Sequence, residues 1–375
     1  MELLIREINL SGKKDLNQFI NLPWSLYKND PHWVPPLKMA VRDLLDQKHP
    51  FYKTAKVKAW LAEIDNKPVG RIMAINNHNY NHYHKTKLGF FGFYEAIEDS
   101  KVANLLISAA EKFIKSEGLT SIQGPANPGT NYECGFLVDQ YDDAPQIMMT
   151  YNPHFYNTHL ENLGFTKAMD LLAYNFSAPY EMPKIILDVA DRLLKKAKVS
   201  YRNLNMKKWN EELDILFELY NSAWDSNWGF VPMTKEEFYH TAKDLKSLAD
   251  PELVQFAEVE GKPVGFILTL PDLNQVFKTN PSGNLNPLVI YKILTAKKRM
   301  NRARVLMLGV KKEYRKMGVE ALLYKYNQQA MKKYTHIKNV EMSWILENNI
   351  EMNKPLIRMS GGPYKRYRLY EKAIN

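Results

Sequence analysis

The sequence contains almost no cysteine, since Cys134 is the only one in 375 residues. A single thiol excludes an internal disulfide and agrees with a reducing compartment. A nucleophilic cysteine also needs an identifiable base beside it. We therefore do not place the chemistry of this protein on Cys134.

Long apolar runs are also absent. No stretch approaches the roughly 20 apolar residues that span a bilayer. The first residues, MELLIREINLSGKKDL, include Glu2 and Glu7 and lack the apolar core of a signal peptide. We expect a cytoplasmic protein with no membrane partner. A metal site is not expected either, because the histidines of NNHNYNHYH have no companion cysteine or paired carboxylates.

Positive charge is what the chain has in excess. Lysine and arginine number 51 against 41 acidic residues, which gives a net charge of +10. The basic residues concentrate in the segments 296–304, 311–316 and 364–368. A basic surface fits nucleic acid, an anionic cofactor or a merely solvated face, so charge alone leaves the partner open.

The stretch from Arg304 to Tyr334 predicts a strand, a basic turn and a helix. The apolar run Val305–Val310 fits a mostly buried strand, and helical apolar spacing begins beyond Gly318. Free amides and the positive end of the helix dipole meet at such a turn, and glycine permits a close backbone approach. The stretch therefore predicts an anion site, of the kind that holds phosphates.

The chain contains an internal repeat. The pattern E-[IV]-x-x-K-P-V-G-x-I occurs at Glu63–Ile72 and again at Glu258–Ile267, 195 residues later. Each copy reads as a hairpin, with a turn at Asp65, Asn66 and Lys67 in the first. We predict two copies of one α/β unit, over residues 1–180 and 181–375, with a linker helix over 182–198.

The order of elements in each copy resembles the GNAT superfamily of acyl-CoA-dependent acyltransferases. This resemblance implies two GNAT-like domains in tandem, each with a mixed, mostly antiparallel sheet that has a splayed central strand pair and flanking helices. The phosphate turn of that superfamily has the pattern Q/R-x-x-G-x-G/A. Arg315 and Gly318 match it, whereas Glu320 stands at its last position and Ala321 follows.

The resemblance places the cofactor, acetyl-CoA or another acyl-CoA, in the second copy. In the first copy, the turn Glu95–Ser100 is acidic and lacks glycine, so it would repel a pyrophosphate. The first copy is expected to shape a substrate site or to have a structural role. The residues expected to bind the cofactor are Leu308, Gly309, Val310, Arg315, Lys316, Met317, Gly318, Val319, Ala321 and Asn349.

Backbone amides of the strand before the phosphate turn would polarise the thioester carbonyl. For the base we consider Glu341 and Glu347, and for the acid Tyr314 and Tyr324, each of which is otherwise an ordinary carboxylate or a packed tyrosine. The turn-rich insertion 125–151 suggests substrate contacts or a domain interface. Its candidate substrate-binding residues are Asn127, Asn131 and Tyr151.

The resemblance implies an N-acyltransferase, with acetyl as the expected acyl group. The acceptor would be the amine of a small molecule or peptide, which attacks the thioester directly. One alternative is a tandem-GNAT aminoacyl transferase that uses charged tRNA, which would explain the basic surface. Another is a non-catalytic CoA-binding or interaction protein that kept the fold and lost the chemistry.

Overall fold

The computed structural model describes residues 2–195, 198–246 and 248–374. The chain separates into two compact units. Unit 1 consists of Met1–Leu171, Phe277–Val289 and Lys365–Asn375, and unit 2 consists of Leu172–Val276 and Ile290–Tyr364. Each unit thus contains chain from both predicted copies, and the boundary between the copies at residue 180 stays a prediction.

Fifteen strands and thirteen α-helices are formed by the described residues, together with short 3₁₀ turns. The first part of the chain forms β1 (Leu3–Ile8), α1 (Lys13–Leu26), α2 (Lys38–Leu44), β2 (Ala55–Ile64), β3 (Lys67–Asn77), α3 (His78–His84), β4 (Leu88–Ala96), α4 (Ser100–Ser116), β5 (Ser121–Gly124), β6 (Ala126–Asn127), β7 (Glu133–Cys134), β8 (Phe136–Leu137), α5 (Phe155–Asn162) and β9 (Thr166–Ser177). The remainder forms α6 (Lys184–Leu194), β10 (Val199–Asn203), α7 (Trp209–Ala223), α8 (Lys235–Leu245), β11 (Val254–Val259), β12 (Lys262–Pro271), α9 (Asn274–Phe277), α10 (Pro287–Leu294), β13 (Arg302–Val310), α11 (Lys312–Arg315), α12 (Val319–Lys332), β14 (Asn339–Leu346), α13 (Ile350–Ser360) and β15 (Lys365–Ala373). The predicted linker helix is shorter than 182–198, and residues 196 and 197 of that span lie outside the described residues.

Unit 1 is built on the strand order β1-β2-β3-β4-β5-β15. The pairs from β1 to β4 are antiparallel, β4 and β5 are parallel, and β5 and β15 are antiparallel. Helix α4 covers one face with buried side chains that include Leu106 and Ile114. The C-terminal strand therefore completes the sheet of unit 1.

Unit 2 repeats this order as β10-β11-β12-β13-β14, followed by β9. The strands from β10 to β13 are antiparallel, and β13 and β14 are parallel. Beside β14, the Ser177 hydroxyl donates to the Asn339 side-chain oxygen at 2.9 Å, and the Ala178 amide donates to the Lys338 carbonyl at 2.8 Å. Helix α12 packs Leu322 on this sheet.

The internal repeat is visible in the strand register. The β2–β3 pairing shifts between Ala62 and Glu63, and the β11–β12 pairing shifts between Ala257 and Glu258, which are the positions 195 residues later. Both hairpins close through two residues at positive φ, Asp65 and Asn66 in the first and Glu260 and Gly261 in the second. Tight two-residue turns require this backbone conformation.

The helix predicted beyond Gly318 is α12. The short helix α11 precedes it, and the two are separated by Lys316, Met317 and Gly318. Gly318 has φ +82°, a left-handed conformation that glycine adopts without strain and that ends one helix as the next begins. Among the described residues, no helix is long and apolar enough to cross a membrane.

Candidate active site

Strands β13 and β14 of unit 2 diverge. Their parallel pairing begins at Arg302 with Asn339 and stops at Val305 with Met342. Leu306 is skipped in the pairing of β13 with β12, so the strand carries a bulge at the point of divergence. This geometry opens a gap between two adjacent strands of the sheet.

The gap is a cleft of about 530 Å³, open mouth included. Ten of its thirteen lining residues are apolar, and the three polar ones are Asn227, Ser343 and Asn349. The apolar residues are Trp224, Val305, Leu306, Met307, Leu308, Met342, Trp344, Ile345, Leu346 and Met352. The surface that these residues expose in the cleft is nevertheless more polar than apolar, so the cleft offers polar attachment points as well as apolar contacts.

Backbone N–H groups of β13 face the cleft. The Lys311 amide donates to the Val264 carbonyl of the β12 side at 2.8 Å. Peptide groups alternate in direction along a strand, so the amides of Leu308 and Val310 point away from β12. Between them, Gly309 lies so close to the Trp224 ring that an added Cβ would be 2.5 Å from its carbons.

In the basic turn after β13, one of the predicted anion-binding side chains is already engaged in hydrogen bonds within the protein. The Arg315 guanidinium donates to the carbonyl of Val310 at 3.1 Å and to that of Ala223, so it holds the end of β13 against α7. Lys316 and Met317 are exposed, whereas Val319 and Ala321 are buried. A Cβ on Gly318 would lie 2.8 Å from Val189 of α6. Any larger residue at Gly318 would therefore disturb packing as well as anion binding.

Glu320 lies in the first turn of α12. Burial raises the pKa of its carboxyl to about 6, with a further increase from Glu351, while Arg315 and a hydrogen bond from its own backbone N–H act in the opposite direction. The carboxylate thus uses an amide that an anion would otherwise take. The helix start and Gly318 fit a pyrophosphate, and Glu320 competes with it.

Glu341 on β14 is fully buried and belongs to a polar network. Its carboxylate accepts hydrogen bonds from the hydroxyls of Ser343 and Tyr364. Arg304, its register partner on β13, donates from Nε to Ser343 Oγ at 2.8 Å and from Nη2 to the Ser343 carbonyl at 2.9 Å. Because Ser343 lines the cleft, the carboxylate is one hydrogen bond away from it.

Two known proteins are similar to the chain over almost its whole length, although no protein-family model matches it. Protein YghO of Escherichia coli (strain K12) is 36% identical over 369 residues, which cover 97% of this chain and 94% of YghO. The bacterial ceramide synthase of Caulobacter vibrioides is 34% identical over 370 residues, which cover 96% and 95% of the two chains. This chain belongs to their family.

Solved structures with the GNAT fold match the chain throughout. The tandem GNAT protein from the clavulanic acid biosynthesis pathway covers 100% of this chain and 99% of its own, with a TM-score of 0.57 and 12% identity. A GCN5-related N-acetyltransferase from Sphaerobacter thermophilus covers 100% and 96%, with a TM-score of 0.54 and 14% identity. The predicted tandem GNAT fold is confirmed.

The corresponding gap of the first GNAT-like copy is filled. Strands β4 and β5 pair in parallel from Leu88 to Phe90, and then strand β6 follows the separating edge of β4. Asn127 of β6 accepts a hydrogen bond of 2.6 Å from the Phe93 amide. A Cβ on Gly92 would fall 1.9 Å from the Ala126 carbonyl oxygen. The backbone amide of Phe93 in β4 is thus already hydrogen-bonded to a side chain of the protein itself.

The helix start of the first copy is also occupied. Asp99 caps α4 by accepting from the Lys101 amide at 2.8 Å. Glu95 lies in β4 and not in the turn. Its carboxylate accepts 2.8 Å hydrogen bonds from the hydroxyls of Tyr27 and Tyr156. Burial raises the pKa of Glu95, and Arg71 opposes that shift. The acidic segment therefore has a structural role as well as an unfavourable charge.

Of the remaining predicted residues in unit 2, one lines the cleft, one contacts a lining residue and two are not lining residues. Asn349 lines the cleft and caps α13 by accepting from the Met352 amide at 3.2 Å. Tyr324 donates to the sulfur of Met352, which also lines the cleft, and burial raises the pKa of this tyrosine. Tyr314 packs against the core of unit 2, and Glu347 follows β14; neither is among the residues that line the cleft.

The predicted substrate residues belong to unit 1. Asn127 is bonded to Phe93, and Tyr151 donates to the Asp30 carboxylate at 2.9 Å. Asn131 is half-buried between β6 and β7. Their role in substrate binding stays a prediction.

The sequence analysis missed several residues of the site. Arg304, a charged residue at the edge of an apolar strand, was the available signal for the network around Glu341. Ser343 and Tyr364 carried no comparable signal, because their association with Glu341 depends on the fold. Trp224 and Asn227 belong to the aromatic turn after α7. The local sequence pattern of this turn indicates only that it packs against a core.

Proposed function

We propose that the chain transfers the acyl group of an acyl-CoA to an amine and forms an amide. The observation that carries this proposal is the cleft between the diverging strands β13 and β14, with the amides of Leu308 and Val310 directed away from β12. A preorganised amide donor stabilises negative charge that develops on a carbonyl oxygen. The filled gap of the first copy supports one donor site in each chain.

The residues of unit 2 suit different parts of the donor. The β13 amides would pair with the pantetheine arm, and Gly318, Val319 and Ala321 at the start of α12 would hold the pyrophosphate, assisted by Lys316. The donor supplies the activated thioester. Glu320 would oppose the pyrophosphate when ionised and would do so less when protonated.

We place the proton acceptor at Glu341, which acts through Ser343. As the amine nitrogen attacks the acyl carbon, a C–N bond forms, the C–S bond breaks and the amine loses a proton. CoA leaves as its thiolate, which takes up a proton from solvent to give the free thiol. Ser343 lines the cleft and its hydroxyl donates to Glu341, so a proton taken up at Ser343 is matched by one passed to the carboxylate. Arg304 keeps this hydroxyl oriented.

The donor and acceptor are proposed to be lipids. Ten of the thirteen residues that line the cleft are of apolar type, and their side chains can contact an acyl chain longer than acetyl. One full-length relative is a bacterial ceramide synthase, and a ceramide is the amide of a fatty acid with a long-chain amine. We therefore favour a long-chain acyl-CoA and a sphingoid-type amine over the acetyl group expected from the resemblance.

The direct test is an acyl-transfer assay on the purified full chain. Acetyl-CoA, octanoyl-CoA and palmitoyl-CoA are each offered with sphinganine and with a short water-soluble amine, and free thiol and amide product are measured. We expect the amide of sphinganine with the longer acyl groups, and much slower product formation by the Glu341→Gln variant. Charged tRNA is offered in a separate reaction.

The outcomes separate the parts of the proposal. Product from acetyl-CoA alone would contradict the long-chain donor and retain the acyl transfer. Product from charged tRNA alone would replace acyl-CoA as the donor. Thermal unfolding with each acyl-CoA reports binding independently, because a ligand at about 100 times its Kd stabilises by roughly 2.7 kcal/mol.

A further inference from the structure

Helix α10 exposes an apolar face. Ile290, Tyr291 and Leu294 are 44%, 53% and 64% exposed. Their spacing of i, i+1 and i+4 puts them on one side of the helix, while Val289 is buried on the other. Scattered surface leucines need no explanation, but three large apolar side chains on one short helix form a contiguous patch.

The patch lies in a strongly basic part of the chain. No aspartate or glutamate occurs between Leu273 and Lys312, whereas nine lysines and arginines do. Lys298 and Arg299 follow the helix directly and are exposed. The Arg299 guanidinium lies 5.4 Å from the centre of the Tyr291 ring and donates to its hydroxyl at 3.2 Å. Positive charge thus borders the apolar face immediately.

We propose that α10 docks on an anionic lipid surface. Apolar side chains with a tyrosine and flanking basic residues are the composition of helices that lie in a membrane interface, where apolar burial and attraction to anionic headgroups act together. Charge complementarity favours this occupant over a neutral lipid surface. An eight-residue helix lies on the membrane and does not span it, which is consistent with the lack of a spanning helix among the described residues. The proposal is independent of the acyl-transfer chemistry.

Vesicle co-sedimentation of the full chain tests it. Vesicles of phosphatidylcholine alone are compared with vesicles of phosphatidylcholine and phosphatidylglycerol in equal amounts, at low and at high salt. We expect binding to the anionic vesicles that is at least tenfold stronger than to the neutral ones and that weakens with salt. Absence of binding to anionic vesicles at low salt overturns the proposal.

Paired variants locate the contact. Ile290→Gln with Leu294→Gln should reduce binding to anionic vesicles at least tenfold. The matched control is Ile357→Gln with Ile185→Gln, because these side chains are 45% and 64% exposed on other helices, and it should leave binding within about twofold. Equal loss in both pairs would contradict a specific role of α10.

Charge is tested in the same way. Lys298→Gln with Arg299→Gln should weaken binding to the anionic vesicles and flatten its salt dependence, whereas the exposed control pair Lys13→Gln with Lys14→Gln should not.

Gel filtration tests whether a second copy of the chain, and not a lipid surface, covers the apolar face of α10. A wild-type dimer that the Ile290 and Leu294 changes dissociate would identify a second copy of the chain as the partner and overturn the lipid proposal.

Discussion

The side-chain oxygen of Asn127 lies 2.6 Å from the backbone nitrogen of Phe93 and accepts its hydrogen bond. This contact fills the gap beside β4 with the protein's own backbone and side chain, where the second copy has its cleft beside β13. The two copies of one fold thereby differ in a way that bears directly on the number of donor sites.

Replacing Asn127 by alanine should destabilise unit 1 without creating a donor site. The Phe93 amide would lose its acceptor, which costs about 1–3 kcal/mol for a buried donor. Urea denaturation measures this loss, and the exposed Asn21→Ala change is the control, with an expected effect within about 0.5 kcal/mol. Calorimetry should give one acyl-CoA per chain for wild type and variant, and a wild-type stoichiometry of two would contradict the proposed asymmetry.

Removing the proposed proton acceptor should slow turnover. Glu341→Gln is expected to lower kcat by about 10²- to 10⁴-fold with a much smaller change in KM. Tyr364→Phe is the control, because it removes the other hydrogen bond to Glu341 and leaves the link to Ser343 in place. An unchanged kcat in folded Glu341→Gln protein would place the base elsewhere.

Glu320 should make the stability of the chain depend on pH. A carboxyl with a folded-state pKa of about 6, above its ordinary value of 4.5, holds its proton more tightly when folded. Its contribution to stability is therefore greatest below about pH 4.5 and falls as the pH rises through 6. Glu320→Gln should be about 2 kcal/mol more stable than wild type at pH 8, and this difference should vanish at pH 4. Denaturation at both pH values measures it.

The same change should strengthen donor binding. Without the ionised carboxyl, the amides at the start of α12 are available to the pyrophosphate, so we expect severalfold tighter acyl-CoA binding near pH 8 and a smaller gain near pH 5. The exposed Glu313→Gln change in α11 is the control for charge alone. An equal increase in acyl-CoA affinity in both variants would mean that only the electrostatic potential around the turn had changed.

Asn349 permits a test that separates capping from ligand contact. Asn349→Ala removes the cap of α13 and should cost about 1 kcal/mol, whereas Asn349→Ser keeps a capping oxygen and should restore most of the stability. If Asn349 also contacts the donor, as predicted, the serine variant should retain a raised KM. Full recovery of both properties in the serine variant would restrict Asn349 to its capping role.

Local sequence predicted most elements of the fold. The sequence pattern predicts helices over 100–116 and from Trp209 to about Ala223, and strands over 121–124 and 339–346. These are the bounds of α4, α7, β5 and β14, because capping residues and apolar periodicity act over short distances. The turn at Gly318 was predicted, and its positive φ shows how one helix ends and the next begins there. The segments that make up each compact unit could not be derived from the sequence pattern, because strand pairing between distant residues leaves little local trace.

The sequence by itself determined that the chain is a tandem repeat of one α/β unit, in which one copy has a basic, glycine-containing turn that we predict to hold phosphate. Hairpin periodicity, the motif recurring after 195 residues and the matching Arg315 and Gly318 all reside in short stretches. Only the tertiary structure decided that β6 fills the first gap and that Ser343 connects the buried Glu341 to the second. Both results depend on the positions at which adjacent strands stop pairing, and long-range packing sets those positions.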